Sequence, residues 1–169
     1  MKSFHEIMPQ QLDKSPFRIV GNDWMLITAE KDGQVNTMTA SWGGFGVMWN
    51  KNVAFIVIRP QRYTKGFVDA ADTFSLTFFD KDFKEQLSYL GTVSGRDEDK
   101  ISKLNLSIEY SGETPYFTNA NLVIICKKLY AQKYESQCFI DSTVDAESYP
   151  EKDYHTMYIA EVSKILIKK

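Results

Sequence analysis

Short runs of β-forming residues, rather than long helical repeats, set the hydrophobic pattern of this chain. Residues 24–29 and 34–41 are rich in such residues and flank Lys31-Asp32-Gly33. Because an Asp-Gly pair supplies the positive φ angles of a tight turn, this pattern predicts a β-hairpin. Residues 53–58 are apolar on both faces, which is typical of a strand inside a covered sheet, and residues 74–79 predict a fourth strand.

The helical signals are short and lie between or after these strands. Residues 63–71 fit one short helix. Asp80 is placed to cap a second helix, which Gly91 would end with a left-handed stop. The apolar residues of this second helix fall on one face and are Phe83, Leu87 and Leu90. Polar residues 92–100 predict a loop that leads into a short helix near residues 101–104.

Two long strands are predicted in the remainder of the chain, at residues 122–134 and 156–167. The segment between them, residues 136–153, carries acidic residues and Pro150 and is expected to be an irregular, exposed excursion. Six or more strands joined by short helices favour a closed barrel over a doubly wound sheet, because the strand-helix alternation of βαβ units is missing. Residues 1–169 are therefore predicted to form a single, mainly β domain.

Composition narrows the classes of function. The 169 residues are 43% hydrophobic with a formal net charge of -2, so there is no basic field to attract nucleic acid. The first residues lack the apolar core of a signal peptide, and no apolar run approaches the ~20 residues that span a bilayer, so we expect a cytoplasmic protein with no membrane partner. The only histidines, His5 and His155, and the only cysteines, Cys126 and Cys138, are not spaced as metal ligands, and no metal site is expected.

The stretch from Asn36 to Gly46 has an unusual density of small, hydroxylated and glycine residues where a predicted strand enters a glycine-rich bend. Small side chains let a flat ligand approach the backbone, whose N–H and C=O groups can read the edge of an isoalloxazine ring. Met38 and Trp42 could supply an apolar wall for one ring face. The alternative is a β-bulge and turn in which Trp42 belongs to the core.

A second candidate site lies at residues 59–65, where the third strand ends and a helix begins. The N–H groups at a helix start have no partners within the helix, and the helix dipole favours an anion there. Arg59, Arg62 and Thr64 add charged and hydroxyl hydrogen bonds that suit a phosphomonoester. The alternative is a solvated basic turn whose Pro60 fixes the helix entry. Together the two segments predict a site for a ring that carries a phosphate tail.

Three motifs occur in the order and spacing of the flavin reductase-like, flavoredoxin-type proteins, which the chain resembles over nearly its whole length. These motifs are residues 36–42, residues 59–64 and residues 91–100. The resemblance implies a mainly β fold with short helices, a six-stranded antiparallel FMN-binding split barrel. It also implies a homodimer with non-covalently bound FMN near the subunit interface.

The resemblance assigns roles to individual residues. The residues that would line the isoalloxazine and the ribityl chain are Asn36, Met38, Thr39, Ala40, Ser41 and Trp42. Those that would serve the phosphate end are Arg59, Arg62, Tyr63 and Thr64. The loop at residues 94–97 resembles the family's segment near the flavin mouth, which can reach the partner subunit's site; the alternative is a plain surface loop.

The start of the last predicted strand carries the candidate catalytic residue. In related flavin reductases a Gly-Asp-His triplet introduces this strand, and its histidine lies near the hydride donor or acceptor. Residues 153–155 resemble that triplet, which implies a catalytic role for His155, although Tyr154 interrupts the triplet and its glycine is missing. The docking of a nicotinamide therefore stays open, and a hydrogen-bonded residue at a strand start is the alternative for His155.

The function that these features predict is an FMN oxidoreductase that accepts a hydride from NADH or NADPH. It would pass electrons to free flavin, a small acceptor or a protein partner. One alternative is a flavoredoxin-type electron carrier without a nicotinamide site. Another is a binding module that keeps the fold without catalytic turnover.

Overall fold

The predicted strands form the framework of the fold, and further strands join them. A computed structural model describes residues 3–168. Its strands are β1 (Phe4–Ile7), β2 (Met25–Lys31), β3 (Gln34–Ala40), β4 (Gly43–Met48), β5 (Lys51–Ile58), β6 (Thr73–Phe78), β7 (Ile108–Ser111), β8 (Thr114–Phe117), β9 (Leu122–Lys133) and β10 (Thr156–Lys168).

The helices are short and lie outside the sheet. They are α1 (Pro16–Arg18), α2 (Tyr63–Ala70), α3 (Lys84–Thr92), α4 (Lys100–Lys103) and α5 (Ser142–Ser148). Single turns of tighter or wider helix occur at Pro9–Gln11, Ile19–Asp23, Lys81–Phe83 and Ser136–Cys138. Among the described residues no helix is long and apolar enough to cross a membrane.

The main sheet is antiparallel throughout and has the order β3-β2-β6-β9-β10-β5-β4, with β1 added beside β10. A separate hairpin is formed by β7 and β8. The mainly β, antiparallel fold predicted from the sequence is confirmed, but the main sheet has eight strands where six were expected. The additional strands are β1, which is only four residues long, and β4, whose glycines hide the strand pattern.

The first hairpin follows the prediction closely. Lys31 pairs with Gln34, so Asp32 and Gly33 alone form the turn, and their φ angles are 52° and 75°. Positive φ at both positions is the geometry of the two-residue turn that suits the twist of two antiparallel strands. The hairpin fixes the register of β3 and therefore decides which of its residues face the core.

The segment predicted as a glycine-rich bend is instead strand β4, and this expectation was wrong. Gly43 pairs with Ile56 of β5, and its φ is 144°. A Cβ at this position would lie 2.5 Å from the carbonyl oxygen of Phe55. The glycine is therefore required by the close approach of two strands, which a bend signal in the sequence does not distinguish from a turn.

Two predicted signals around α3 act differently in the structure. The Asp80 side chain makes no capping hydrogen bond, and the single turn Lys81–Phe83 lies between Asp80 and the helix. Gly91 does not end the helix, which continues to Thr92. A Cβ on Gly91 would lie 3.1 Å from the Cβ of Thr39, so this glycine lets α3 pack closely on β3.

The excursion at residues 136–153 is mostly exposed, as expected, but it is not irregular throughout. It contains α5, and Tyr149 at the end of that helix is only 2% exposed. Tyr149 packs against Tyr134, Phe139 and Tyr154, with ring centroids 5.0 to 6.5 Å from its own. Buried aromatic surface supplies the free energy that holds such a segment in place, and it brings the segment to the start of β10.

Candidate functional site

The ends of β3 and β5 and the start of β10 meet at one side of the sheet and enclose a small hollow. We call it the Trp42 hollow, and its volume is about 160 Å³. Its lining residues are Met38, Thr39, Ala40, Ser41, Trp42, Val57, Arg59, Arg62 and His155. Most residues predicted to line a flavin ring thus lie together, beside the histidine predicted at the start of the last strand.

A second, larger hollow of about 380 Å³ adjoins the first, and we call it the Ser94 hollow. It shares Met38, Arg59 and Arg62 with the Trp42 hollow, so the two form one groove. Its other lining residues are Asn36, Gln61, Tyr63, Thr64, Leu90, Thr92, Val93, Ser94, Gly95 and Lys100. All ten residues predicted to hold the cofactor therefore line this groove.

Strand β3 borders the groove with an edge that has no strand partner in the described chain, because β3 lies at one end of the sheet order. The Thr39 side chain is used to hold this edge against α3, since its hydroxyl donates to the carbonyl oxygen of Leu87 over 2.5 Å. An edge strand presents unpaired N–H and C=O groups. Such groups can form hydrogen bonds with the polar edge of a planar ligand.

Asn36 and Thr64, both predicted as ligand-binding residues, bind each other. The amide Nδ2 of Asn36 donates to the hydroxyl oxygen of Thr64 over 2.9 Å, and both residues are buried. Gly95 packs on the other side of Asn36, where a Cβ would lie 2.2 Å from Oδ1. The bond therefore joins β3 to α2, and the loop before α4 closes over it.

The arginines of the groove differ in how many of their hydrogen-bond donors are already bonded to protein acceptors. The Arg59 guanidinium donates to the Asp153 carboxylate and, over 2.8 Å, to the carbonyl oxygen of Ser148. A hydrogen bond from Gln61 and the ion pair with Arg59 hold the pKa of Asp153 below its usual value. Arg62 donates to the carbonyl oxygen of Gly91 over 2.8 Å and is otherwise exposed. No carboxylate lines the Ser94 hollow, so its net charge is positive.

Lys100 is a buried cation that the sequence did not reveal as a groove residue. Its ammonium group donates to the carbonyl oxygens of Leu90 and Val93 over 2.7 and 2.8 Å, near the end of α3. Burial, with repulsion from Arg62, lowers its pKa to about 8. A lysine in a run of polar residues is usually solvated, and only the folding of the loop onto α3 buries it.

His155 lines the Trp42 hollow and packs against two aromatic rings. The Trp42 ring centroid is 5.2 Å from its own, and the Tyr149 hydroxyl lies 2.8 Å from Nδ1. Burial is the main cause that lowers the pKa of His155 to about 4, and the charge of Arg59 acts in the same direction. The imidazole is therefore neutral at physiological pH. Trp42 is 49% exposed and so does not belong to the core.

Sequence reasoning missed Tyr149, Val57 and Lys100 at this site. Val57 belongs to a strand whose position opposite β10 is set by long-range pairing, and Tyr149 lies in the segment predicted to be exposed. The one signal available for this cluster was the pair of aromatic residues inside the segment, Phe139 and Tyr149, with Tyr134 and Tyr154 on either side of it. Within residues 3–168 no three His, Cys, Asp or Glu side chains are arranged to hold a metal ion.

Comparison with known proteins identifies the fold. A family model described as a flavin reductase-like domain matches residues 17–169. Similar solved structures include an FMN-binding domain of a flavin reductase-like enzyme from Shewanella baltica OS155, at 14% identity over 98% of this chain and 78% of that one, with a TM-score of 0.71. No curated protein sequence gives a significant match.

Two further similar structures come from proteins of different described roles. The flavoredoxin of Desulfovibrio vulgaris (Miyazaki F) is 18% identical over 95% of this chain and 76% of its own, with a TM-score of 0.66. The flavin reductase of styrene monooxygenase from Pseudomonas putida S12 is 14% identical over 85% and 77%, with a TM-score of 0.61. These likenesses confirm the fold class predicted from the sequence.

Proposed function

Because the chain belongs to the flavin reductase-like domain family, we propose that it binds FMN non-covalently in the groove formed by the Trp42 and Ser94 hollows. One observation carries the proposal: an open strand edge beside apolar side chains continues into a positively charged hollow without a carboxylate. When bound, FMN supplies redox chemistry, since it accepts a hydride or single electrons and passes them on. The larger hollow alone falls within the usual range of ligand sites, about 300–1,000 Å³.

The Trp42 hollow has the properties that an isoalloxazine ring requires. Met38 and Trp42 offer apolar surface, and the free edge of β3 offers N–H and C=O groups. Ala40 and Ser41 are small and leave room beside the backbone. We propose that these residues and Thr39 hold the ring and the start of the ribityl chain, and that Asn36 supports β3 through its bond to Thr64.

The Ser94 hollow suits the phosphate of FMN, which carries a charge of about -1.5 to -2 at pH 7. We propose that Arg62 binds this phosphate directly, with Thr64 and Tyr63 at the start of α2, and that Lys100 adds a buried positive charge. Arg59 lines both hollows, but its guanidinium is already bonded to Asp153. We expect Arg59 to attract the phosphate by its charge and to hold the excursion in place, and not to bind the phosphate directly.

The test of this assignment is a titration with two ligands. FMN and riboflavin differ only in the phosphate, so Arg62→Gln should weaken FMN binding about 10- to 150-fold, which corresponds to ~1.5–3 kcal/mol for a charged hydrogen bond. Riboflavin binding should not change in the same variant. Equal losses for both ligands would contradict the phosphate role of Arg62. A wild-type protein that binds neither ligand would refute the proposed function itself. The alternative of a module that binds another ligand would then be favoured.

We further propose that the protein is an oxidoreductase that takes a hydride from NADH or NADPH and passes electrons to flavin, a small acceptor or a protein partner. The position of His155 beside Trp42 supports a place for a donor at the mouth of the groove. The alternative is an electron carrier without a nicotinamide site. Departure from the family triplet at Tyr154 favours this alternative, and a flavoredoxin is among the similar structures.

Anaerobic reduction separates these two functions. The protein loaded with FMN is mixed with NADH or with NADPH, and the flavin absorbance is followed in time. Rapid bleaching by either nucleotide identifies the reductase, whereas no bleaching, with prompt bleaching by dithionite, identifies the carrier. Arg59→Gln is a useful companion variant, because it should loosen the excursion beside His155 and slow bleaching more than it weakens FMN binding.

The assembly and extent of the protein are also proposals. We propose a homodimer built on the exposed apolar residues around β4, and a single domain, which the unbroken match over residues 17–169 supports. The electron acceptor is proposed to be a small molecule or a protein. The cytoplasmic location expected from the sequence stays a prediction.

A further inference from the structure

Tyr149 is the one residue of the excursion whose side chain is bonded to the candidate catalytic histidine. Its hydroxyl lies 2.8 Å from Nδ1 of His155, and the two rings are nearly perpendicular, at 82°. The Arg59 guanidinium lies 5.2 Å from the centre of the Tyr149 ring and is itself bonded to the carbonyl oxygen of Ser148. Tyr149 is therefore held from several sides.

The direction of this hydrogen bond follows from its surroundings. In the described chain the Tyr149 hydroxyl has no hydrogen-bond partner besides Nδ1 of His155. A buried hydroxyl proton needs an acceptor, and a neutral imidazole accepts at only one nitrogen. If Nδ1 carried the proton and donated it, the proton of the buried hydroxyl would be left without a partner. The hydroxyl therefore donates to Nδ1, and the imidazole proton is on Nε2.

The Nε2 atom reaches the groove. His155 lines the Trp42 hollow, and in the described chain Nε2 has no hydrogen-bond partner. Because this unpartnered atom is not buried, it is open to the groove. Contacts with the Trp42 ring, 5.2 Å away, and with the nearly perpendicular Tyr149 ring, 5.5 Å away, fix the plane of the imidazole.

We propose that Tyr149 is a positioning residue that holds His155 as the neutral Nε2–H tautomer, so that the groove presents a hydrogen-bond donor to the electron donor. The Nε2–H group would donate to a neutral acceptor oxygen, such as a carboxamide carbonyl, and not to a group that must receive a proton. This inference deepens the proposed function, because it assumes that an electron donor enters beside the flavin. The low pKa of His155 agrees with it, since an imidazole with a pKa of about 4 is uncharged near pH 7.

The charged groups that face His155 are consistent with a neutral ring. Arg59 and Arg62 disfavour the imidazolium form, and Asp153 favours it. The Asp153 carboxylate is bonded to Arg59 and Gln61 and not to His155. Its effect on the histidine is therefore offset by the arginine beside it, and burial decides the charge state.

The experiment is nitrogen NMR of the imidazole side chains in the ¹⁵N-labelled protein. The wild type, Tyr149→Phe and Tyr154→Phe are compared across pH, and His155→Gln identifies the His155 signals, because His5 is the only other histidine. Tyr154 is the matched control, since it packs in the same cluster and its hydroxyl bonds to Asp145 over 2.8 Å instead of to His155.

We expect the wild type and Tyr154→Phe to show a protonated Nε2 and an unprotonated Nδ1 at pH 7. In Tyr149→Phe the neutral form loses a hydrogen bond, so the signals should become those of a tautomer mixture. The pKa of His155 should also rise by about 0.5 to 1 unit, which is the value of one neutral hydrogen bond.

Three results would overturn the inference: a wild-type Nδ1–H tautomer, a charged His155 at pH 7, or identical spectra for Tyr149→Phe and Tyr154→Phe. These results do not depend on flavin. If the protein failed to bind FMN but showed the Nε2–H tautomer, the proposed function would be refuted and this inference retained. If it bound FMN but showed another tautomer, the inference alone would be refuted. In the loaded protein, His155→Gln should retain more bleaching by NAD(P)H than His155→Ala, because only the amide can replace the Nε2–H donor.

Discussion

Several side chains of the groove bind a neighbouring side chain as well as facing the space where a ligand would sit. Asn36 donates to Thr64, and Arg59 donates to Asp153. Each pair joins two different elements of the fold, so the lining is held in one arrangement by its own hydrogen bonds. Such preorganisation lowers the entropic cost of binding, because few side chains need to be ordered when a ligand enters.

The buried, neutral state of His155 predicts a pH dependence of stability. The imidazole has a pKa of about 4 in the folded protein and near 6.5 in the unfolded chain. Between these values the unfolded chain binds more protons, so the free energy of unfolding should fall as the pH drops from 6.5 towards 4 and should be unaffected by His155 above 6.5. Urea unfolding of wild type and His155→Gln at several pH values measures this difference.

Glutamine does not titrate, so the His155→Gln variant shows the pH dependence of stability that all other titratable groups cause. The stability of the wild type relative to His155→Gln should decline through the interval from pH 6.5 to 4. Parallel curves for the two proteins would mean that His155 titrates normally in the folded state. That result would also remove the support that burial gives to the proposed tautomer.

At the scale of elements, the loop from Ser94 to Asp97 is predicted to depend on its glycine. In Gly95→Ala the new Cβ would meet Oδ1 of Asn36 at 2.2 Å and the Tyr63 ring at 3.3 Å. The loop must then move away from β3, which opens the Ser94 hollow. We expect FMN binding to weaken by at least tenfold, with a change of only about 1 kcal/mol in the free energy of unfolding.

Gly66→Ala provides the matched control. Gly66 is exposed on α2, and a Cβ there meets nothing within 4 Å. Alanine should stabilise this helix by about 0.5–1 kcal/mol without affecting FMN. Isothermal titration and urea unfolding of both variants check the pair. If Gly95→Ala bound FMN like the wild type, the loop would not belong to the site.

The elements show which parts of the fold a sequence can specify. The hairpin of β2 and β3 follows from Asp32 and Gly33, because the turn is decided by local φ angles. Strand β4 was not predicted, because Gly43 is required by its close approach to the carbonyl oxygen of Phe55 on another strand. A glycine has the same appearance in a sequence whether a turn or a neighbouring strand requires it.

The same distinction holds for the candidate site. Residues 38–42 and 59–64 could be predicted because they are contiguous in the chain and have a composition suited to a ring and an anion. Lys100 and Tyr149 could not, because their burial depends on which element covers them. A lysine in a polar loop and a tyrosine beside a proline indicate solvent exposure until the tertiary structure is known.

For the whole molecule, the most conspicuous surface lies around strand β4, at one end of the sheet order. Met48 is 41% and Trp49 55% exposed, and Phe55 and Tyr130 pair with the same residue of β10, Ile159, from its two sides. We call these four residues the β4 patch. Trp49 lies at the tip of the β4-β5 hairpin with a φ of 53°, which is unfavourable for a bulky side chain.

A strained and exposed tryptophan at a hairpin tip supports a role in assembly rather than in folding. We therefore predict that Trp49→Asn weakens the proposed homodimer about 30-fold or more, since tryptophan at an interface typically contributes ~2 kcal/mol or more. Asparagine suits the positive φ of this turn, so the free energy of unfolding of the monomer should not decrease. Sedimentation equilibrium and urea unfolding measure the two effects.

Ile140→Asn is the control, because Ile140 is fully exposed and lies outside the β4 patch. The wild type and this control should dimerise alike. A monomeric wild type would refute the homodimer. If Ile140→Asn dissociated the dimer and Trp49→Asn did not, the interface would lie at the excursion and not at the β4 patch.

The pairing of β10 with β5 has a consequence for how the protein is made. Thr156 pairs with Ile58, and Arg59 meets Asp153, which is 94 residues away in the sequence. Contacts between such distant residues form late in folding, because a long loop must close before they stabilise anything. We therefore expect the groove to be absent from a nascent chain that has emerged only as far as β9. In refolding, quenching of flavin fluorescence should follow the docking of β10 and lag behind the formation of the β2-β3 hairpin.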